Sequence, residues 1–421
     1  MSSRTNPAGS VDEVGISVGG LIGRYSARHI YLFGVVASAA GRNAYFVMVA
    51  WIAVDVSGSA SALAILLALG SAAELLTSNV GGALVDRFDR RLVCIGCDLS
   101  RLLLMVMTGL AFLFCDPLIV LYASWTIFAI IDRTCSTALQ AIIPSLVPPE
   151  NLGSFNSVSY IAMQAGNLIA AIVTGFTLAA IRVDLTPILP SAFFSLSLLG
   201  WLAMLGQQRN SFPRRGSKSE SIRCLDLMPT TFSFHPLKTL AVMYALIYAM
   251  GMLVSVLGSA YVIRELEGSA LQFGYLEAAW ALGSIAGCAA LLFGSVVSRR
   301  QRVLFHSALE GVVLSGFFAF QSLPSALVQM MVLGLSYNIA RVLIDVRIQS
   351  TVPAGMLGRV RSQVHTICVA IGLFAYGIIS AIGDAILPSE IFGLFGSLMV
   401  AVALFFRFRM DRGEPLERRL V

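Results

Sequence analysis

The 421-residue chain has little charge: 12% of its residues are Asp, Glu, Lys or Arg, about half the ~25% of a soluble domain. With 57% hydrophobic residues and a mean hydropathy of +0.82, this excludes a soluble enzyme, a disordered tail protein and a single-span receptor. Lysine is nearly missing; Lys218 and Lys238 stand against 27 Arg. There is no GxxxxGK(S/T) phosphate loop, so ATP-driven work by this chain alone is not expected. The seven Cys are odd in number and lie mostly in apolar runs. Cys94 and Cys97 form a CxxC without a second pair or a His cluster, so neither a disulfide framework nor a metal site is expected. No Ser/His/Asp set, zinc spacing or paired carboxylates define an enzyme site, and no cofactor is implied. Residues 1–28 are polar and Gly/Ser-rich, without the apolar core of a cleavable leader. The net charge of +6 could suit nucleic acid, but it serves better as a membrane orientation signal, so no nucleic-acid partner is expected.

Long apolar runs are abundant. Twelve are bounded by Pro, Gly or charge, at about 29–54, 60–84, 92–114, 118–144, 154–180, 187–206, 238–263, 269–294, 303–322, 324–349, 360–383 and 388–408. Each is near the ~20 residues that span a bilayer as a helix. They are continuous rather than alternating, which excludes a barrel. Pro117, Pro144, Pro187, Pro236, Pro324, Pro353 and Pro388 fall at run edges, where a missing N–H costs little. The one long polar stretch, 207–237, separates a bundle at 29–206 from a bundle at 238–408. Tails of 1–28 and 409–421 flank them.

The halves repeat. Ile143, Ser145, Val147, Pro148, Leu152 and Gly153 recur as Ile348, Ser350, Val352, Pro353, Leu357 and Gly358. Ala68-Leu-Gly-Ser71 in the second run recurs as Ala281-Leu-Gly-Ser284 in the eighth. The repeats predict an all-α membrane protein of twelve transmembrane helices, built as two pseudo-symmetric six-helix bundles. With both termini in the cytoplasm, 22 of the 29 basic residues fall in tails, inner loops and inner run ends, while Arg182 and Arg264 alone fall in outer loops. That bias sets the orientation.

The loop after the second run reads Gly82-Ala-Leu-Val-Asp86-Arg87-Phe-Asp89-Arg90-Arg91. It resembles the signature of the major facilitator superfamily, G-x-L-x-D-R-x-G-R-(R/K), with Asp89 where Gly is usual. Gly81 and Gly82 are expected to let two helices approach. The resemblance implies that this loop latches one half to the other through Asp86, with Arg359 and Arg361 as expected partners. In the second half, Ser298-Arg-Arg-Gln-Arg302 repeats the loop without its acid. Ala141-Ile-Ile-Pro-Ser-Leu-Val-Pro148 and Leu357-Gly-Arg-Val-Arg-Ser362 are similar to the branch holding enterobactin exporters and macrolide efflux proteins. The drug-antiporter signature of the fourth helix is incomplete, since no Gly follows Arg133 shortly after.

Ionisable residues within the runs are the informative ones, because each costs about 2.5–3.5 kcal/mol at a helix centre. Arg42, Glu74, Asp132, Arg133, Glu277 and Glu310 are the candidates for proton coupling or a polar cavity. Asp98 with Arg101, and Arg341 with Asp345, have the spacing to close their own salt bridges. His306 stands one turn from Glu310. Polar stripes predict the cavity lining: Asn156, Tyr160, Gln164 and Asn167 on the fifth helix, Tyr244, Tyr248, Met252 and Ser255 on the seventh, Phe273, Glu277, Trp280 and Ser284 on the eighth, and Gly70, Glu74 and Ser78 on the second. Glu74 is the first choice for the titrating group, with Arg42 as its modulating charge or its fixed partner and Glu277 as the alternative.

The resemblance and the residues together imply a secondary transporter by alternating access, multi-pass in a bacterial inner membrane. A proton-coupled exporter of a siderophore or antibiotic-like compound is expected, acting as a monomer with protons, a small-molecule substrate and the bilayer as partners. An importer or uniporter, or a non-transporting sensor or assembly protein on the same fold, is the alternative.

Overall fold

A computed structural model describes residues 27–148, 151–207, 235–293, 300–351 and 357–411. Each of the twelve runs is one helix, with ends no more than three residues from the expected ones: α1 (Ala27–Ser57), α2 (Ala60–Arg87), α3 (Arg90–Ala111), α4 (Pro117–Ile142), α5 (Leu152–Ala180), α6 (Ile188–Gln207), α7 (His235–Arg264), α8 (Ala270–Phe293), α9 (Arg300–Ala319), α10 (Leu323–Thr351), α11 (Leu357–Ile382) and α12 (Pro388–Asp411). The polar stretch 207–237 and the two tails lie almost wholly outside the described residues.

Local chemistry sets the helix starts. Ser59 caps α2 by accepting from the Ala62 N–H at 3.2 Å. Asp116 caps α4 by accepting from Leu118 and Ile119, with Pro117 in the first turn, where its missing N–H is no loss. Among the described residues, ten stretches are long and apolar enough to cross a membrane. Large apolar side chains stand on the outside of the bundle, Leu76, Phe114 and Phe374 among them. In water this surface would be a liability, but in a bilayer it is the solvent-facing side.

Helix packing repeats the duplication. In the first half α1 packs on α5 and α6, α2 on α4, and α3 on α4 and α6; adding six to each number gives the pairs of the second half, α7 on α11 and α12, α8 on α10, and α9 on α10 and α12. The halves meet along α5 with α8 and along α2 with α11, again a pair exchanged by the same operation.

Contacts between the halves gather at the end where α1 passes into α2 and α11 into α12. A Cβ added at Gly274 of α8 would lie 2.6 Å from the Ala171 carbonyl oxygen and 2.9 Å from the Gly175 Cα. The two glycines let α5 and α8 touch backbone to backbone. Trp51 stacks on Phe273 at 6.2 Å, and Phe176 meets Tyr275 edge-on at 6.4 Å. The Asp384 carboxylate accepts from the Ser59 hydroxyl at 2.6 Å and the Ala60 N–H at 2.9 Å. An acid of the second half thus covers the first turn of α2, where unpaired N–H groups and the helix dipole favour negative charge. Arg264 donates to the carbonyls of Gly383 and Asp384, holding that loop in place.

Candidate functional site

At the centre of the first half lies an ionic chain. Arg101 of α3 is 1% exposed and Asp98 0%. They pair at 2.9 Å, as their i, i+3 spacing leads one to expect. Arg101 also reaches Asp132 of α4 at 2.6 Å and donates to Ser38 of α1 at 3.1 Å. Its guanidinium lies 5.1 Å from the Phe194 ring and 5.8 Å from Phe128, a stacked setting that suits Arg better than Lys. The other Asp132 oxygen faces Arg42 of α1 at 3.8 Å. The chain Asp98–Arg101–Asp132–Arg42 is neutral and ties α1, α3 and α4 together. Arg42 is therefore the partner of Asp132. Among the described residues it forms no ion pair with Glu74, the bridge the sequence had left open.

Three cavities, of about 230, 160 and 220 Å³, adjoin one another; the first two are lined from both halves and the third, among the described residues, from the first half. Phe46 lines all three. The first is lined by Asn43, Asn167, Ser255, Glu277 and Trp280. The second has Gly70, Glu74, Trp125, Ser255 and Tyr376. In the third, Arg42, Asn43, Glu74, Trp125, Asp132 and Asn167 come together. Arg42, Glu74, Asp132 and Glu277, read from the sequence as isolated intramembrane charges, thus share one polar, aromatic hollow. Arg133, half-buried, and Arg42 both act on Glu74 through space. Gly70 leaves room for the Trp125 indole nitrogen, which a Cβ there would strike.

Other expected site residues sit elsewhere. Glu310 is fully buried in α9, outside these three cavities, and neither carboxylate oxygen has a hydrogen-bond partner among the described residues. His306 turns to Ser336 at 3.0 Å. On the α5 stripe, Asn167 reaches the cavities, while Gln164 is buried beneath it and accepts from Asn167 at 2.6 Å. Tyr160 donates to Asn338 of α10 at 2.5 Å, bridging the halves, and the Arg341 guanidinium lies 5.6 Å from the Tyr160 ring. Asn156 is exposed. Tyr244 and Tyr248 are half-buried on α7, and Met252 packs against Gly372. Phe273 and Ser284 are buried in packing. Asn43, Phe46, Trp125 and Tyr376 are lining residues that the stripes did not include. The α4 signal was present: Trp125, Ala129 and Asp132 stand at 4 and 3 spacing on one face.

The signature loop gives a mixed outcome. Gly81 does allow a close approach, since a Cβ there would lie 2.7 Å from the Thr134 hydroxyl. Gly82 faces open space, so helix approach is not its role. Asp89, the departure from the signature, is the N-cap of α3: it accepts from the Arg91 N–H and pairs with the Arg91 guanidinium, both at 2.9 Å. The Arg91 side chain, aided by its backbone N–H, holds the Asp89 carboxyl below its usual range against some desolvation. Arg90 donates to the Ala141 carbonyl at 2.5 Å, and the Arg87 guanidinium lies 6.0 Å from the Phe88 ring. The side chains of Asp86, Arg359 and Arg361 lie outside the described residues.

A polytopic helical bundle with two repeated six-helix halves around a central polar hollow is the form of a membrane transporter. A model of the Major Facilitator Superfamily matches residues 31–376, and the chain belongs to that superfamily. It is similar to the multidrug efflux pump Tap of Mycolicibacterium fortuitum, 24% identical over 85% of this chain and 89% of that protein. Among solved structures it resembles a bacterial homologue of the iron transporter ferroportin in an inward-facing state, with a TM-score of 0.66, 17% identity, and 90% of this chain and 96% of that one covered. It also resembles the nucleoside transporter NupG, with a TM-score of 0.70, 11% identity, and coverage of 91% and 99%. At these identities the structures share the fold. The chain is a transporter, not an enzyme, with a small-molecule substrate and the lipid bilayer as its surroundings.

Proposed function

We propose that this transporter is a proton-coupled exporter of a small organic molecule, of siderophore or antibiotic-like type, in a bacterial inner membrane. Export is supported by the similarity to a protein named as an efflux pump and by the motifs shared with the enterobactin and macrolide branch. The basic-residue bias supports cytoplasmic termini, the boundaries 29–206 and 238–408 for the two bundles, and 207–237 as a cytoplasmic linker. On that orientation the contacts through Asp384 and Gly274 close the outer end, so the hollow belongs to an inward-facing state. Asp86 with Arg359 and Arg361 would latch the opposite end. The protein works as a monomer and binds no nucleic acid.

The observation that carries the coupling is Glu74. It lines two of the three cavities, yet among the described residues it has no ion pair, because Arg42 is committed to Asp132. A carboxylate in that position exchanges its proton as alternating access changes its solvation. Comparing metabolites in the medium of deletion and wild-type cells identifies the solute. The purified protein is then tested in proteoliposomes with an imposed proton gradient. Glu74→Gln is expected to abolish uphill movement and keep downhill exchange. Uphill, pH-dependent export that survives in Glu74→Gln moves the coupling to Glu277 or Asp132. Transport by the wild type that ignores the gradient overturns coupling altogether.

A further inference from the structure

Resting on that reading, we propose that Glu277, Trp280 and Phe46 form a subsite for a positively charged ammonium group, so the cargo is an amphiphilic organic cation. The cavity they share has a volume of about 230 Å³, and its other polar lining is Asn43, Asn167 and Ser255. No Arg, Lys or His lines it. Glu277 is its single ionisable group, and among the described residues no charged side chain acts on it.

The adjoining cavities of the same hollow are lined differently. There Asp132 faces Arg42 and Arg101, and Glu74, though in no ion pair among the described residues, has Arg133 and Arg42 acting on it through space. Glu277 comes from the second half, and no base among the described residues lines its cavity. A carboxylate removed from water is strongly penalised unless a counter-charge meets it. With none supplied by the cavity wall, the ligand is the available source.

The rest of the lining suits a cation with an apolar body. Trp280 follows Glu277 by three residues, on the same helix face. Its ring is braced by Tyr337 at 5.4 Å, while its carbonyl accepts from Ser284 at 2.8 Å. A rigid indole beside a carboxylate attracts an alkylammonium through the ring face and pairs its charge through the acid. Phe46 continues the aromatic wall into the other two cavities, giving an apolar substituent a path toward Trp125. Trp51 stacked on Phe273 braces the contact of α1 with α8 nearby. Glu74 and Glu277 thus divide the work: the first exchanges protons, the second selects the charge of the cargo.

Benzyltrimethylammonium, whose charge does not titrate, and neopentylbenzene, its uncharged isostere, are the probes. Each is titrated into the purified full-length protein in detergent, and binding is read by calorimetry and tryptophan fluorescence. The wild type is expected to prefer the cation by about tenfold, the effect of one ion pair with a cation–π contact. Glu277→Gln is expected to erase that preference while leaving the isostere unchanged. Glu277→Asp, which keeps the charge, should retain part of it. Trp280→Leu provides a second route if Glu277→Gln does not fold, and should weaken the cation more than the isostere. Equal binding of the two probes by the wild type overturns the proposal, as does an undiminished preference in Glu277→Gln. A proton-driven transporter that moves only neutral or anionic solutes overturns the subsite and leaves proton coupling standing. Cation binding that depends on Glu277, without proton-driven movement, does the reverse.

Discussion

Arg101 shows how one residue can organise a membrane bundle. Its charge is buried, yet it has two carboxylates, a hydroxyl and two aromatic rings around it. Asp98 Oδ2 and Arg101 Nε have no hydrogen-bond partner among the described residues, and removing one member of the network leaves a buried charge without its counter-charge. Asp132→Asn strands Arg42 and leaves Arg101 with Asp98 alone. Removing one partner of a buried pair costs about 3–5 kcal/mol, so the variant should melt lower in detergent and yield less folded protein. Glu74→Gln, outside the chain of ion pairs, should melt like the wild type. Equal melting of both variants would show that the network does not support the fold. Asp89 is a smaller case of the same kind. Asp89→Ala removes the α3 cap, which is expected to cost about 1 kcal/mol, read as a modest fall in melting temperature with transport retained.

At the scale of the element, the contact of α5 with α8 and the α11–α12 loop on α2 close one end of the hollow. Gly274→Leu places a side chain where the Ala171 carbonyl and Gly175 stand, and is expected to hold that end open. Asp384→Ala removes the acceptor for Ser59 and Ala60. Either change should speed labelling of a cysteine placed at Ser255 by a membrane-impermeant maleimide added from outside. Unaltered labelling in both would mean that neither contact closes the path. Acid should imitate Asp384→Ala only at low pH. Some burial opposes ionisation of Asp384, but hydrogen bonds from Ser59, Ser61 and the Ser61 and Ala60 N–H groups outweigh it and hold the carboxyl below its usual range. A depressed carboxyl keeps its contribution above its ordinary value, near ~3.9, and loses it only as the pH falls through its lowered one. Labelling should therefore not change between pH 7.5 and 5.5 on account of Asp384; a rise in that window that Asp384→Ala abolishes would contradict this assignment.

The whole molecule is a duplicated unit, and its packing pairs repeat at a spacing of six helices. The strong basic asymmetry along the chain predicts that Val421 and the 207–237 stretch face the cytoplasm. Alkaline phosphatase fused after Val421 should be silent; activity would invert the orientation, and with it the side on which Asp384 closes the hollow.

Helix number, helix ends and the duplication were determined by the sequence alone, because a bilayer leaves no choice: twenty apolar residues must satisfy their own backbone, and Pro, Gly and charge must collect where they stop. The Asp98–Arg101 pair was legible for a local reason, one helical turn. That Arg42 pairs with Asp132 and not with Glu74 was decided by how α1 settles against α5 and α6 with α4 alongside, a register set by side-chain packing across about ninety residues of chain. The same holds for Phe46, Trp125 and Tyr376. In the sequence they read as ordinary apolar residues, and only the meeting of two separately encoded halves turns them from core into the wall of a hollow. Glu277 was visible as a charge in a membrane helix, but that no base among the described residues lines its cavity is a property of the assembled fold. Hydropathy is written residue by residue; the neutrality of a site depends on which distant groups the tertiary fold brings within a few ångströms.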